Sequence, residues 1–510
     1  MRHAYQVDAV RAAERALMDR LPDGTLMRRA AAGLASACAA LLGRHPGYVY
    51  GARILVLTGT GDNGGDALYA GALLARRGAA VTAITAGPKA HEGGTAELLG
   101  AGGHIVTGEG DASRGDLFDR ADLIIDGLLG IGGRPGLREP FAGLARQAGQ
   151  ATATVVAVDL PSGIDADTGA VQGLAVRADV TVTFGAIKPG LLIDPGARYA
   201  GALDLVDIGL RPYLPYPPSV LAPQRDDIAG LLPRPGPESD KYRRGVVGLL
   251  VGSDRFAGAA VLATGGAVRG GAGMVRVVTG EAPAAAIRQE WPEAVLTVHP
   301  DAPGWDLIGS VGRVQAWAAG PGMGTGPDAA ARLAAVLGTD LPVLVDADGL
   351  TILSQEPGLL PRAAPTLITP HAGELARLLG TDAASVEARR VEHARRAAAR
   401  LGVTVLLKGS TTVIAPPSDG PLLVSPTGTP WLATAGTGDV LSGLAGSLLA
   451  QGLEPAQAGL AAAYLHGLAA RLAVSPNAPH GSWAEGEAPG EAPIGASDVV
   501  RALPEAFRSL

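Results

Sequence analysis

The sequence predicts an α/β protein of two domains in series, each a three-layer arrangement of helices around a mostly parallel sheet. Three observations carry this. The chain has 510 residues, too many for one hydrophobic core. In both halves, short apolar runs of strand length alternate with helical patterns, as in parallel sheets covered on both faces. Between 211 and 237 that texture breaks. Prolines stand at 212, 215, 217, 218, 223, 233, 235 and 237, where no regular element continues. This stretch reads as the linker, with domains at 1–215 and 226–510.

In the first half Val7–Arg20 and Thr25–Leu42 read as helices. Arg53–Thr58 is an apolar strand running into a Gly-rich turn, and Asp66–Arg77 follows as a helix. Val81–Thr85, Leu123–Asp126, Val155–Asp159, Val180–Phe184 and Ala202–Val206 are the further strands. In the second half the strands are Val246–Val251, Met274–Val278, Val314–Ala319, Val343–Val345, Thr366–Thr369 and Val403–Leu407. The helices there are Ala257–Gly270, Pro327–Leu337, Ser385–Leu401, Val440–Gln451 and Pro455–Leu472. Ser475–Gly495, rich in Pro, Gly, Ala and Glu, reads as a mobile insertion.

Composition narrows the function. Aromatics are 4% of the chain, so the core is built from Ala, Val and Leu, with 74 Gly supplying turns and close approaches. The formal net charge is -7 and the pI about 5.8, which argues against nucleic acid or an anionic membrane as partner. The single cysteine, Cys38, excludes an intrachain disulfide, a CxxC motif and a cysteine metal site, and reads as a small apolar filler. No apolar run reaches membrane-spanning length, and the charged N-terminus lacks a signal-peptide core. A cytoplasmic homo-oligomer without membrane partners is the expectation.

The richest motif is Ala-Gly-Thr-Gly-Asp at 435–439. It opens a long apolar helical run, which places free N–H groups and the positive end of a helix around one carboxylate. Such a turn can cradle a phosphate in transfer, with Asp439 as base beside the attacking hydroxyl. Four more strand ends join it: Gly252–Ala260, Gly320-Pro-Gly-Met-Gly324, Thr369-Pro-His-Ala-Gly-Glu374 and Leu407-Lys-Gly-Ser-Thr-Thr412. In the first half, Gly59-Thr-Gly-Asp-Asn-Gly-Gly-Asp66, Asp126-Gly-Leu-Leu-Gly-Ile-Gly-Gly-Arg-Pro-Gly136 and Val158-Asp-Leu-Pro-Ser-Gly-Ile-Asp165 are three polar or glycine-rich strand ends. In an open parallel sheet they meet at the ligand crevice. Taken singly, Asp126 suits a helix cap, Ser162 a turn hydroxyl and His371 a structural histidine. Together, in order and spacing, they outline two sites.

The first-half motifs resemble the NAD(P)H-hydrate epimerase domain over residues 1–210, which implies a Rossmann-like αβα sandwich. By that resemblance Asp62, Asn63, Gly64, Gly65 and Asp66 bind the hydrated cofactor. So do Gly130, Ile131, Gly132, Gly133, Arg134, Pro135 and Gly136. Asp159 is the acid/base and contacts substrate, while Asn63, Asp126 and Ser162 hold K+, for which amide, carboxylate and hydroxyl oxygens are suitable donors. Asp62 stands where the family has Asn, and Ile131 and Gly133 also depart from its pattern. The second-half motifs resemble the ADP-dependent NAD(P)H-hydrate dehydratases of the ribokinase-like family over 226–510. By that resemblance Ala259, Gly322, His371 and Asp439 contact the substrate. Lys408, Gly409, Ser410, Thr411, Thr412 and Gly438 bind ADP, with Mg2+ on its phosphates. Ala372 replaces the family's proline after the histidine.

The resemblance implies repair of NADHX and NADPHX: epimerisation in one domain and ADP-dependent dehydration in the other. Two other readings compete. One is a small-molecule kinase for a vitamin precursor or sugar, and the other makes the first domain a non-catalytic binding module. His299, His393, His466 and His480 show no metal spacing. The basic run Arg389, Arg390, Arg395, Arg396 and Arg400 reads as a solvated helix face.

Overall fold

The structure, a computed structural model, describes residues 1–44, 48–87, 89–107, 114–299, 306–474 and 492–510. Most of the expected insertion, 475–491, and His480 within it lie outside the described residues. The chain divides at residue 220. His3–Val220 forms one compact unit, and the chain from Leu221 onward, with Met1 and Arg2, forms the other.

The first unit is built on a parallel sheet. Its strands lie in the order His104–Thr107, Ala80–Thr85, Arg53–Thr58, Leu123–Gly127, Thr154–Val158, Val180–Phe184 and Ala202–Val206. Alternation sets the layers. In Arg53–Thr58, Ile54 and Val56 join one buried cluster and Leu55 and Leu57 the other, because successive side chains point to opposite faces. The chain order reverses beside Arg53–Thr58. Its end is therefore in register with the end of Leu123–Gly127, Leu57 opposite Asp126 and Thr58 opposite Gly127, and this switch point is where the two strand-end loops meet.

One helix of this unit, Thr25–Gly43, is long and apolar enough to cross a bilayer, with mean hydropathy 1.2. The sequence reading had found no such run. Its Ala31, Leu34, Ala35, Cys38 and Leu42 are buried in the core cluster, the arrangement of a core helix in a globular unit.

In the second unit the sheet runs Leu422–Ser425, Thr412–Ala415, Thr404–Leu407, Thr366–Ile368, Val343–Val345, Ala316–Ala319, Val246–Leu250, Met274–Thr279 and Val295–Val298. All neighbouring pairs are parallel except the first two, which are antiparallel. The strands at 295–298, 412–415 and 422–425 escaped the sequence reading. At the centre, the helices Ala257–Arg269 and Thr437–Ala450 touch through glycine. A Cβ on Gly443 would lie 1.9 Å from the Ala263 carbonyl oxygen, and one on Gly266 2.2 Å from that of Val440. The low aromatic content is thus matched by backbone-to-backbone helix packing, which fixes the start of the helix that carries Asp439.

Candidate functional site

In the first unit, the Gly-rich turn is shorter than its sequence suggests. The helix begins at Asp62 rather than Asp66, with Gly61 as its N-cap. Asp62, Asn63 and Gly64 therefore form its first turn, where N–H groups are free and negative charge is favoured, while the Gly65 N–H already donates to the Gly61 carbonyl at 3.2 Å. Asp62 is exposed there. Close packing explains the glycines. A Cβ on Gly59 would meet the Leu128 carbonyl at 2.0 Å, and one on Gly64 would meet both the Gly59 carbonyl and the Thr58 hydroxyl at 2.5 Å. A Cβ on Gly130 would come within 3.0 Å of Asn63 Oδ1, so the first two motifs touch.

Asp126, fully buried, is gripped by the third motif. Its Oδ1 accepts from the Ser162 hydroxyl at 2.7 Å, and its Oδ2 from the Ser162 N–H at 2.8 Å. Burial raises its pKa to about 6, against the lowering effect of these bonds. The Ser162 oxygen also accepts the Leu129 N–H at 2.9 Å. Asn63 Nδ2 is buried without a partner among the described residues. The Gly130–Gly136 loop closes on the same motif, since Gly136 N–H donates to the Gly163 carbonyl at 2.9 Å. Arg134 is exposed, and Ile131 and Pro135 are half-buried.

Asp159 ends its strand in the left-handed region, φ 67, which is uncommon for a residue with a Cβ. Its Oδ1 accepts from Lys188 Nζ, from the Thr183 hydroxyl at 3.2 Å and from the Phe184 N–H at 3.1 Å. Asp66, on the first turns of the neighbouring helix, has its pKa raised well above the usual range. Burial is the main cause, reinforced by Asp159, Asp62 and Glu14; its Oδ1 is buried and unpartnered among the described residues. Lys188 and Glu14 were missed from the sequence. A lone lysine inside the apolar stretch Phe184–Ile193 was the available signal, because an unpaired ammonium is rarely buried.

In the second unit, the strand-end loops interlock. The Ser253 hydroxyl donates to the Gly322 carbonyl at 2.7 Å, and Gly252 N–H to the Pro321 carbonyl at 2.8 Å. Gly322, at φ 63, faces Ala259, whose Cβ would lie 2.9 Å from an added methyl. The geometry thus brings Ala259 and Gly322 together. His371 caps the helix Ala372–Leu379: its Nδ1 accepts from the Gly373 N–H at 3.0 Å, and Glu374 returns a bond to the His371 N–H at 2.8 Å. This reciprocal cap holds the turn without the family's proline. It also assigns the neutral ring's proton to Nε2, which lies 3.6 Å from Glu374 Oε2.

Lys408 does not stand free. Its Nζ is 2.8 Å from Asp346 Oδ1 and 3.7 Å from Glu374 Oε2. Burial opposes the charged form, yet Asp346 and Glu374 more than offset it and raise the ammonium's pKa. The other oxygen of Asp346 accepts the Ser442 hydroxyl at 2.6 Å. A Cβ on Gly438 would lie 3.4 Å from Lys408 Nζ, so the helix start at Thr437 sits against this ion pair. Asp439 is half-buried there, and its pKa rises to about 7. Burial is the main cause, then Asp346, with Lys408 opposing. His466 steadies the same turn from behind: Nε2 lies 2.9 Å from the Thr437 carbonyl. Burial drops its pKa to about 4, so the ring is neutral and Nε2 carries the proton it donates.

Gly409, Ser410 and Thr411 form the turn of the hairpin between Thr404–Leu407 and Thr412–Ala415. Arg390 overturns the solvated-face reading. The expected helix 385–401 breaks at Arg389, and Arg390 turns inward, 2% exposed. It donates to the Leu407 and Lys408 carbonyls at 3.2 and 2.7 Å and so braces the strand end that presents Lys408. Asp346 and Ser442 were also missed. Asp346 sits in an apolar strand end whose acidic residue reads equally well as a cap.

Residues 247–484 match the NAD(P)H-hydrate dehydratase family model, and residues 23–190 match that of the YjeF-related protein N-terminus. The chain is 48% identical over 461 residues to the bifunctional NAD(P)H-hydrate repair enzyme Nnr of Mycobacterium tuberculosis, covering 90% of this chain and 91% of that protein. It is 45% identical over 513 residues to the Nnr of Mycobacterium leprae, covering 100% of both. A solved ADP/ATP-dependent NAD(P)H-hydrate dehydratase from Bacillus subtilis is 32% identical and covers 56% of this chain and 96% of its own, at a TM-score of 0.47. With both halves matched in order and identity sustained across nine-tenths or more of these relatives, the chain belongs to the family of bifunctional NAD(P)H-hydrate repair enzymes.

Proposed function

We propose that the protein restores hydrated NADH and NADPH in two steps, with the first domain, 1–215, interconverting the epimers of NAD(P)HX and the second, 226–510, dehydrating one of them with ADP. One observation carries this reading. Asp439, poised to titrate near neutrality, stands at a glycine-lined helix start packed against the Lys408–Asp346 pair. That is a base beside an anion cradle.

The substrate's hydroxylated ring carbon also bears nitrogen, whose lone pair can expel a good leaving group; hydroxide leaves poorly and phosphate well. Asp439 takes the hydroxyl proton as that oxygen attacks the β-phosphorus of ADP. The N–H groups of the helix start receive the charge on the transferred group, and AMP departs. Phosphate then leaves with its oxygen, and a proton is lost from the adjacent ring carbon, which restores the double bond of the dihydropyridine. On this reading Lys408–Thr412 and Gly438 hold the nucleotide, while Ala259, Gly322 and His371 hold the nicotinamide portion. Mg2+ typically keeps phosphate and water oxygens as most of its ligands. It would enter with the nucleotide, into the negative field of Asp346, Asp348 and Asp439.

In the first domain, Asp159 acts as acid/base on the loss and return of the hydroxyl, and 62–66 and 130–136 contain the substrate. Asn63, Asp126 and Ser162 can each offer an oxygen, with Asp126 and Ser162 already in contact. This donor set fits K+, which would supply charge and orientation to the bound nucleotide.

The test incubates mixed NADHX epimers with protein, ADP and Mg2+. Asp159→Ala should leave one epimer unrepaired while the other is still consumed. Equal consumption of both by that variant refutes the division of labour.

A further inference from the structure

We propose that the buried Lys188 is a positioning residue of the first site: it ties down one oxygen of Asp159 so that the other is presented to the substrate hydroxyl. This rests on the epimerase reading above.

The bonding around Asp159 is one-sided. Lys188 Nζ, the Thr183 hydroxyl and the Phe184 N–H all converge on Oδ1, and among the described residues no donor is directed at Oδ2. Lys188 is itself saturated, since its ammonium also donates to the Thr183 hydroxyl at 3.1 Å and the Phe184 carbonyl at 3.2 Å. At 1% exposure it has neither a free donor nor access for a ligand. It therefore acts through Asp159 and does not touch substrate. The backbone is pinned to the same strand, since Asp159 N–H donates to the Val182 carbonyl at 2.8 Å. Main chain and carboxylate are thus both fixed by the Val180–Phe184 strand and the turn that follows it.

Electrostatics gives a reason for an ammonium here. Asp159 lies among Glu14 from the helix Val7–Met18 and Asp62 and Asp66 from the helix Asp62–Arg76, with Arg11 the other cation near Glu14. Burial raises the pKa of both Glu14 and Asp66. Asp159 adds to each shift, while Lys188 opposes the rise at Glu14. Within this acidic group Lys188 is the one counter-charge bonded to Asp159. The site then sets a carboxylate bonded to a cation beside a buried carboxyl, Asp66, whose pKa is raised, two unlike environments of the kind that acid–base chemistry on one hydroxyl uses.

The experiment follows interconversion of a purified NADHX epimer by chromatography, without nucleotide, so that the dehydratase step is silent. Lys188→Met should slow interconversion by about 100-fold and move the acid limb of its pH profile upward, because Asp159 loses its counter-charge. Lys188→Arg should recover part of the rate and return the limb toward its original position. Thr183→Val, which removes one weaker donor, should produce a smaller shift in the same direction, and it decides the matter if Lys188→Met fails to fold. The proposal is overturned if the variants leave rate and pH profile unchanged. It is equally overturned if rate falls in Lys188→Met and Lys188→Arg alike with the limb unmoved, since that is a purely structural loss. Failure of the unaltered protein to interconvert epimers would instead refute the epimerase reading.

Discussion

The Lys408 ammonium lies 2.8 Å from the Asp346 carboxylate, directly beneath the glycine turn that leads to Asp439. On the proposed function, an incoming phosphate shares this cation with Asp346. The pair sets the charge beside the turn, so Lys408 is part of the scaffold as well as the nucleotide contact that the proposed function gives it.

Lys408→Met should leave Asp346 as an uncompensated buried carboxylate and cost about 3–5 kcal/mol of stability, besides abolishing dehydration. Denaturant unfolding measures it. The Asp346→Asn/Lys408→Met double variant should recover much of the stability but not the activity.

Asp439→Asn should reduce dehydration by about 10²- to 10⁴-fold, the usual range for losing a general base. On the proposed mechanism the carboxylate is the active form, and its pKa is raised to about 7. Dehydration should accordingly climb with pH through about 7 and level off above. A flat profile from pH 5 to 8 with saturating ADP would contradict the assignment.

His466 links the turn to acid stability. Its folded pKa of about 4 lies below the unfolded value of about 6.5, so the unfolded chain binds the proton more readily. Its stabilising contribution is complete above about 6.5 and is lost as pH falls toward 4. The loss should approach about 3 kcal/mol. His466→Gln should remove this component, so thermal melts of variant and parent should converge, or cross, as pH falls from 7 to 4.5.

Gly443→Ala should force apart the helices Ala257–Arg269 and Thr437–Ala450, since the new methyl would stand 1.9 Å from the Ala263 carbonyl. Overpacking of this kind costs at least about 1–3 kcal/mol. The melting temperature should fall, and dehydration should weaken because the displaced helix carries Asp439. A variant at Gly230, where an added Cβ meets nothing within 4 Å, provides the control and should leave both unchanged.

How far the sequence alone leads varies from site to site. The Gly59–Asp66, Asp126–Gly136 and Ala435–Asp439 loops are legible because they break apolar runs with residues that serve few purposes other than close backbone approach and anion contact. The Ser385–Leu401 pattern is misleading because helical periodicity continues through Arg389. Only the carbonyls of Leu407 and Lys408 explain why Arg390 turns inward. The hairpin strands Thr412–Ala415 and Leu422–Ser425 are antiparallel and so lack the strand–helix alternation that marks the parallel strands in the sequence.

The features legible in the order of residues are local and additive: the alternation of strand and helix, the proline-rich break between domains, and the loops whose glycines and carboxylates mark two sites. Tertiary structure alone decided which charges meet. Lys188 reaches Asp159 and Lys408 reaches Asp346 across 29 and 62 residues of chain, and nothing in the local pattern of either lysine names its partner. The physical reason is that a buried ion pair is selected by desolvation and geometry in the assembled sheet, whereas a turn or helix start is written in its own few residues.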